Sequence, residues 1–433
     1  MTDKKPSVVE FLGLKRDLIG LLSMVILVGL GEHMAERFLP LYLVALGGGA
    51  LSVGLLNALD NLLGALYAFP GGFLSDKIGY KRALLVFNLL AMSGYAIAIV
   101  TPSWQTVILG AILFTSWSAI SLPATMDLVA SVLPREKRTM GVSLHSMVRR
   151  IPMALGPVIG GALIGAFGET RGVRIALVIA FLFAGVSLVV QQVMIGKETT
   201  RPSDGKTRRS YGWRLLSADL RKLLVSDVLI RFCEQIPYAF VVIWCVKVNG
   251  VSALQFGLLT TIEMVTAMLI YVPVAYLADR STKKPFVVVT FMFFTLFPLV
   301  LLVSRSFWAM AVAFFIRGLK EFGEPTRKAL IMDLAPDGQK AATFGVYYLI
   351  RDTIVSFAAF GGALLWDGST IETLVGMTGV GQQLVPLFQS FVSPTANLLT
   401  AFGFGVAGTI YFALFGKDLG RSAHELVSEK SNQ

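Results

Sequence analysis

Twelve apolar runs, opening near residues 18, 52, 83, 106, 140, 174, 223, 255, 286, 308, 342 and 395, limit what this chain can fold into. Each is about 20 residues long, the length at which a helix rising 1.5 Å per residue crosses roughly 30 Å of hydrocarbon. Lipid offers backbone N–H and C=O groups no partner, so such runs must satisfy themselves as helices, even where Val, Ile and Gly are frequent. Composition agrees, with 55% hydrophobic and 15% charged residues against about 25% charged in a soluble domain.

The second half repeats the first. Shifting by 203 positions places Gly54 on Gly257, Leu56 on Leu259, Asp60 on Glu263, Pro70 on Pro273 and Asp76 on Asp279. Six runs lie in each half, so the expected architecture is an all-α integral membrane protein. Its twelve transmembrane helices form two six-helix pseudo-symmetric bundles, residues 1–196 and 223–433, joined by a basic linker over 197–222. Parallel repeats of this kind are a signature of secondary transporters.

Charge placement gives the orientation. Of the 38 Lys and Arg, 25 fall in the segments that would share one side: the amino terminus, 77–82, 135–138, 197–222, 280–284, position 340 and the tail beyond 416. Arg171, Arg174, Lys247 and Arg305 fall opposite, and nine lie inside runs. The positive-inside rule then puts both termini and the linker in the cytoplasm, of a chain residing in the cytoplasmic membrane. The net charge of +11 is thus mostly topology; no segment is long enough for a soluble basic face, so no nucleic-acid partner is expected. No cleaved leader is expected, because the first run is too long for one.

Other chemistries find no support. Gly205-Lys206-Thr207 mimics the end of a phosphate loop, but Thr200 stands where that loop needs Gly. Cys233 and Cys245 lie 12 residues apart on the seventh run, too far to bridge on one helix. His33, His145 and His424 show no metal-ligand spacing. No cofactor, metal or enzymatic activity is expected.

The loop after the second run reads Gly72-Phe73-Leu74-Ser75-Asp76-Lys77-Ile78-Gly79-Tyr80-Lys81-Arg82. It resembles the signature loop of the major facilitator superfamily, with Gly72, Asp76, Lys77, Gly79, Lys81 and Arg82 in place. Its second-half copy, Asp279-Arg280 with Ala275 and Thr282 for the glycines, is degenerate. Gly156-Pro157-Val158-Ile159-Gly160-Gly161 on the fifth run is similar to that family's antiporter motif, with Pro152 for the leading Gly. The resemblance implies two bundles rocking about a central site. Physically, Asp76 at a helix end would accept from a facing helix N-terminus and serve as a gate latch. The fourth-helix Arg of the family's drug antiporters is absent from 114–123.

Charge inside the runs marks the candidate substrate and proton residues, because a charge at the bilayer centre costs about 2.5–3.5 kcal/mol and must face a cavity or a partner. They are Glu32 and Arg37 on the first run, Asp60 and Glu263 at equivalent repeat positions, Glu234, and Arg150 and Arg351 at near-equivalent ones. Arg150 and Arg351 would clamp an anion or pair with Asp127 and Asp352. On the tenth run Arg317, Lys320, Glu321, Glu324, Arg327 and Lys328 would form one stripe of a continuous helix, with Lys320 and Glu324 as fourth-neighbour partners. The stripe is either an ion-pair ladder or a substrate and proton site. The segment 366–393 is expected as an extracellular loop.

The sequence therefore reads as a monomeric secondary transporter of a small organic solute, proton-coupled, with export favoured by the fifth-run glycines. Its partners would be a small-molecule substrate, protons and the lipid bilayer. The alternatives are a lipid flippase, proton-coupled uptake of an organic anion, and a transport-inactive receptor on the same scaffold.

Overall fold

The computed structural model describes residues 16–114, 117, 121, 124–125, 128, 138–196, 216–278, 282–336, 340–378 and 391–417; these are helical almost throughout. The helices are α1 (Arg16–Glu36), α2 (Leu39–Ala45), α3 (Gly49–Ile78), α4 (Tyr80–Val100), α5 (Trp104–Phe114), α6 (Arg138–Phe167), α7 (Glu169–Met194) and α8 (Ala218–Tyr238). Then come α9 (Ala253–Ala278), α10 (Lys284–Val303), α11 (Phe307–Leu319), α12 (Glu324–Asp333), α13 (Lys340–Trp366), α14 (Gly368–Thr378) and α15 (Pro394–Phe415). Among the described residues nine helices are long and apolar enough to span a bilayer, and ten if α8 is joined to its bent continuation. The fourth run begins as α5; beyond it, residues 117, 121, 124–125 and 128 are described, each helical.

Three expectations are corrected. The seventh span is not straight: Pro237 lies in the last turn of α8, and Val241–Val248, ending in a π-helical turn, continues it after a bend of 43°. The tenth span is broken, with α11 ending at Leu319 and α12 starting at Glu324. Pro325 has no N–H to give the Glu321 carbonyl and its ring crowds that turn. The chain therefore passes 320–323 in tight turns, with Phe322 N–H bonding the Leu319 carbonyl at 2.9 Å. In the segment expected as a loop, residues 368–378 form α14.

The chain divides into two compact units. Unit 1 holds residues 1–52, 62–206 and 252–261; unit 2 holds 53–61, 207–251 and 262–433. In unit 1, α1 packs against α6 and α7, and α4 packs against α5 and α7. In unit 2, α8 packs against α13 and α15, and α10 packs against α11 and α15. These are the same neighbours after a shift of six spans, so the sequence repeat is also a packing repeat.

Both units carry wide apolar faces, among them Leu182, Val189, Leu269 and Phe357, each more than half exposed. In a water-soluble bundle such surface is unfavourable, whereas lipid solvates it.

Candidate functional site

The signature loop is built for a tight turn. Gly79 joins α3 to α4 with φ 85°, a conformation that residues with a Cβ rarely adopt. Lys81 then reaches the carbonyl oxygens of Ile195 at 2.5 Å and Gln192 at 3.2 Å, while Arg16 donates to the Val193 carbonyl at 3.0 Å. Both cations thus cap the carboxyl end of α7, where carbonyls lack partners and the helix dipole is negative. Lys77 and Arg82 are exposed. Gly72 and Asp76 lie within α3, but the Asp76 side chain, with Asp279 and Arg280, lies outside the described residues.

The fifth-run glycines have a packing role inside unit 1. A Cβ on Gly156 would stand 2.8 Å from the His33 Cβ, one on Gly160 would collide with the Met34 carbonyl, and one on Gly161 with the Ala253 carbonyl. Gly257 of α9 meets the carbonyl of Pro157 just as closely, and the Thr261 hydroxyl donates to the Ala154 carbonyl at 2.7 Å. Small residues let these backbones touch. Gly160→Val is expected to lower stability by about 1–3 kcal/mol through overpacking, read as a fall in Tm of the detergent-solubilised protein.

Unit 1 also holds a pocket with about 360 Å³ of empty space, part of it open to solvent. Val25, Gly29, His33, Trp117, Ser121, Thr125, His145 and Arg149 line it. His33 Nδ1 meets Glu36 Oε2 at 2.5 Å. Glu32, on α1 beside His33, is 3% exposed. Arg37 follows α1 and Arg150 lies on α6, both half-buried.

The denser constellation is in unit 2. Asp227, Arg231 and Glu234 occupy positions i, i+4 and i+7 of α8 and so share one face. Lys320, on the turn after α11, is held between two carboxylates: Glu234 at 2.9 Å and Glu263 of α9 at 3.3 Å. Arg317 meets Glu263 through Nε at 3.2 Å, and Arg231 meets Glu234 at 2.6 Å. Glu263 is 1% exposed and Arg317 4%, which is tolerable in an apolar bundle because each charge has a counter-charge.

Aromatic rings wall this cluster. Arg317 lies over Phe297 at 4.9 Å and over Tyr238 at 5.4 Å, and Arg231 lies over Phe294 at 5.4 Å. Glu234, Arg317, Lys320, Phe293, Phe294 and Phe297 surround about 260 Å³ of empty space. Gly318 and Gly323 let the broken span sit close: a Cβ on Gly318 would meet the Glu263 carbonyl at 2.6 Å, and the Gly323 N–H donates to the Thr290 hydroxyl at 2.5 Å.

A second cluster adjoins the first. Arg327, only 1% exposed, pairs with Asp227 and forks onto both oxygens of Glu324, at 2.7 and 2.8 Å. Asp227 also accepts from the Tyr347 hydroxyl at 3.0 Å and meets Arg351 at 3.4 Å, and Arg351 meets Asp352 at 2.6 Å. Arg231 lies 3.9 Å from Glu324 and so links the two clusters.

The structure thus brings Glu234, Glu263 and Lys320 together, and joins Glu324 and Arg351 to them through Arg231, Arg327 and Asp227. The expected partnership of Lys320 with Glu324 does not form. Glu324 pairs with Arg327 and with Lys328, the latter at 3.4 Å, because the break at 320–323 takes Lys320 off the helical register. Asp60, half-buried on α3, lies between Asn57 and Asn61, which donate to the Gln235 carbonyl and side chain, each at 3.2 Å. Of the two partners considered for the arginines, Arg351 takes Asp352, and Asp127 lies outside the described residues. Asp227, the hub of the second cluster, was not among the candidates, although its spacing to Arg231 and Glu234 on one apolar run was a readable signal.

The constellation belongs to a helical membrane transporter fold. The sequence profile of the Major Facilitator Superfamily matches residues 21–246 and 223–380, so the chain belongs to that superfamily. An uncharacterized MFS-type transporter of Methanocaldococcus jannaschii is 20% identical over 360 residues, 80% of this chain and 87% of that protein. The quinolone resistance protein NorA of Staphylococcus aureus is 26% identical over 137 residues, 32% of this chain and 35% of NorA. Among solved structures, a bacterial homolog of the human lysosomal transporter Spinster superposes with a TM-score of 0.69 at 14% identity, covering 92% of this chain and 96% of that one. The nucleoside transporter NupG superposes with a TM-score of 0.72 at 10% identity, covering 92% and 100%. The chain is accordingly a multi-pass membrane protein of a transporter family.

Proposed function

We propose that this protein is a proton-coupled secondary transporter that moves a small organic solute by alternating access, in the export direction. The carrying observation is the Lys320 ammonium held between the buried carboxylates of Glu234 and Glu263 beside an aromatic cavity. A proton taken up by either acid leaves Lys320 with one charged partner and shifts the balance between two arrangements of the network. Export is supported by the partial likeness to NorA and by the fifth-run glycines. The charge distribution supports a location in the cytoplasmic membrane with both termini inside, and the transporter is read as a monomer. Asp76 serves as the latch of the signature loop, so Asp76→Asn is expected to impair flux with little change in expression.

The test is reconstitution into liposomes with an imposed pH gradient, following a quinolone and an aromatic monocarboxylate as probes. In Glu234→Gln, concentrative flux is expected to fall at least 100-fold while exchange down a solute gradient persists. Unchanged coupling in this variant would move the proton site away from Glu234. Lipid movement in place of solute movement would favour a flippase.

A further inference from the structure

We propose that unit 1 holds a proton-binding site of its own, the His33–Glu36 pair, opening on a one-water pocket that His145 and Trp117 also line. The site goes beyond the transporter reading and does not rest on Glu234. Two of the three histidines in the chain, His33 of α1 and His145 of α6, line this pocket. Histidine is the side chain that ordinarily gains and loses charge between about pH 5 and 8. His33 Nδ1–H donates to Glu36 Oε2 at 2.5 Å, one turn along α1, so Nε2 is the basic nitrogen that takes the proton. The imidazolium then faces the Glu36 carboxylate as an ion pair, which an apolar span tolerates where a lone charge is costly.

The pocket supplies the route. It has about 20 Å³ of room for solvent, enough for one water. The Trp117 indole N–H is buried with no acceptor beside it, while the Thr125 hydroxyl is spent on the Ser121 carbonyl at 2.7 Å. A buried donor of this kind is costly unless an acceptor arrives, and a water bridging Trp117 to an imidazole provides one. Trp117 stands at the repeat position of Lys320, so where unit 2 fixes a cation, unit 1 leaves a pocket that can be hydrated. Facing the pair are Glu32 and Arg37 beside it on the chain, Arg149 of α6, and the buried Tyr95 hydroxyl of α4. α7, also packed on α1, carries no titratable group from Ile175 to Met194. Among the described residues only Glu36 is in hydrogen-bond contact with His33, so it supplies the proton's counter-charge. Gly156 brings α6 against α1 at His33 itself, so a charge gained there loads that helix contact.

The test is an NMR titration of the full-length protein in detergent, with isotope-labelled histidine and tryptophan. Signals are assigned by their loss in His33→Gln, His145→Gln and Trp117→Phe. The His33 ring signal is expected to titrate once between about pH 5 and 9, and the Trp117 indole signal to move with the same midpoint. In Glu36→Gln the midpoint should fall by about one pH unit or more, the usual effect of losing a carboxylate in contact. Glu234→Gln should leave it in place. Should His33→Gln or Glu36→Gln fail to fold, His145→Gln and His424→Gln assign the His33 signal by elimination, and the native titration decides. A His33 signal unchanged across that range, a Trp117 signal indifferent to it, or a midpoint that moves in Glu234→Gln would overturn the proposal. A titrating His33 in a protein whose Glu234→Gln variant keeps coupled flux supports the unit 1 site and refutes the Glu234 reading alone.

Discussion

Asp227→Asn is expected to destabilise unit 2 by about 3–5 kcal/mol, the usual cost of removing one partner from a buried charge network. Asp227 is 1% exposed and serves Arg327, Arg351 and the Tyr347 hydroxyl at once. Asparagine keeps the shape but leaves Arg327 facing Glu324 alone, with Arg351 reduced to Asp352. The control is Asp352→Asn, since the Asp352 side chain is 24% exposed and shares Arg351 with Asp227; a loss below about 1 kcal/mol is expected there. Thermal unfolding of both variants in one detergent checks this, and equal losses would show that burial does not set the cost.

Lys320→Met should lower stability by about 3 kcal/mol and abolish coupled transport, because it strips Glu234 and Glu263 of their shared cation and leaves them only Arg231 and Arg317. The informative comparison is the double variant Lys320→Met with Glu234→Gln. If the cluster only holds helices together, neutralising an acid that has lost this cation restores stability and transport alike. If Lys320 and Glu234 handle the proton or the solute, stability returns and coupled flux does not. The second outcome is expected, because the pair borders a cavity rather than a closed core. Recovery of normally coupled flux would reduce the cluster to a structural clasp.

Particular residues show how far the sequence could be read. The stripe Arg317 to Lys328 was visible as charge in an apolar run, and most of it does form a buried network. Its internal pairing was misread, because periodicity was extended through Pro325 as though the helix continued. Once the chain turns at 320–323, Lys320 faces α8 and α9, and helical spacing no longer predicts its partners. Asp227 went unnoticed for the opposite reason. It lies near the start of its span, where an acid raises little alarm, and its importance comes from Arg327, a hundred residues away. Lys81 is legible as a position of the family pattern, but its contacts with the end of α7 are not.

Solvent, element type and internal repeat were all legible in the order of the residues, because they follow from local quantities. An apolar run of about 20 residues has to be a helix in lipid, and two halves with the same pattern of runs pack in the same neighbour order. Which charges meet is a property of the folded chain alone. Ion pairing depends on distances of a few ångströms between helices far apart in sequence, and on breaks such as those at Pro237 and Pro325 that rotate one face against another. Neither quantity is carried by hydropathy, so the Glu234–Lys320–Glu263 cluster became visible only once α8, α9 and α11 were folded together.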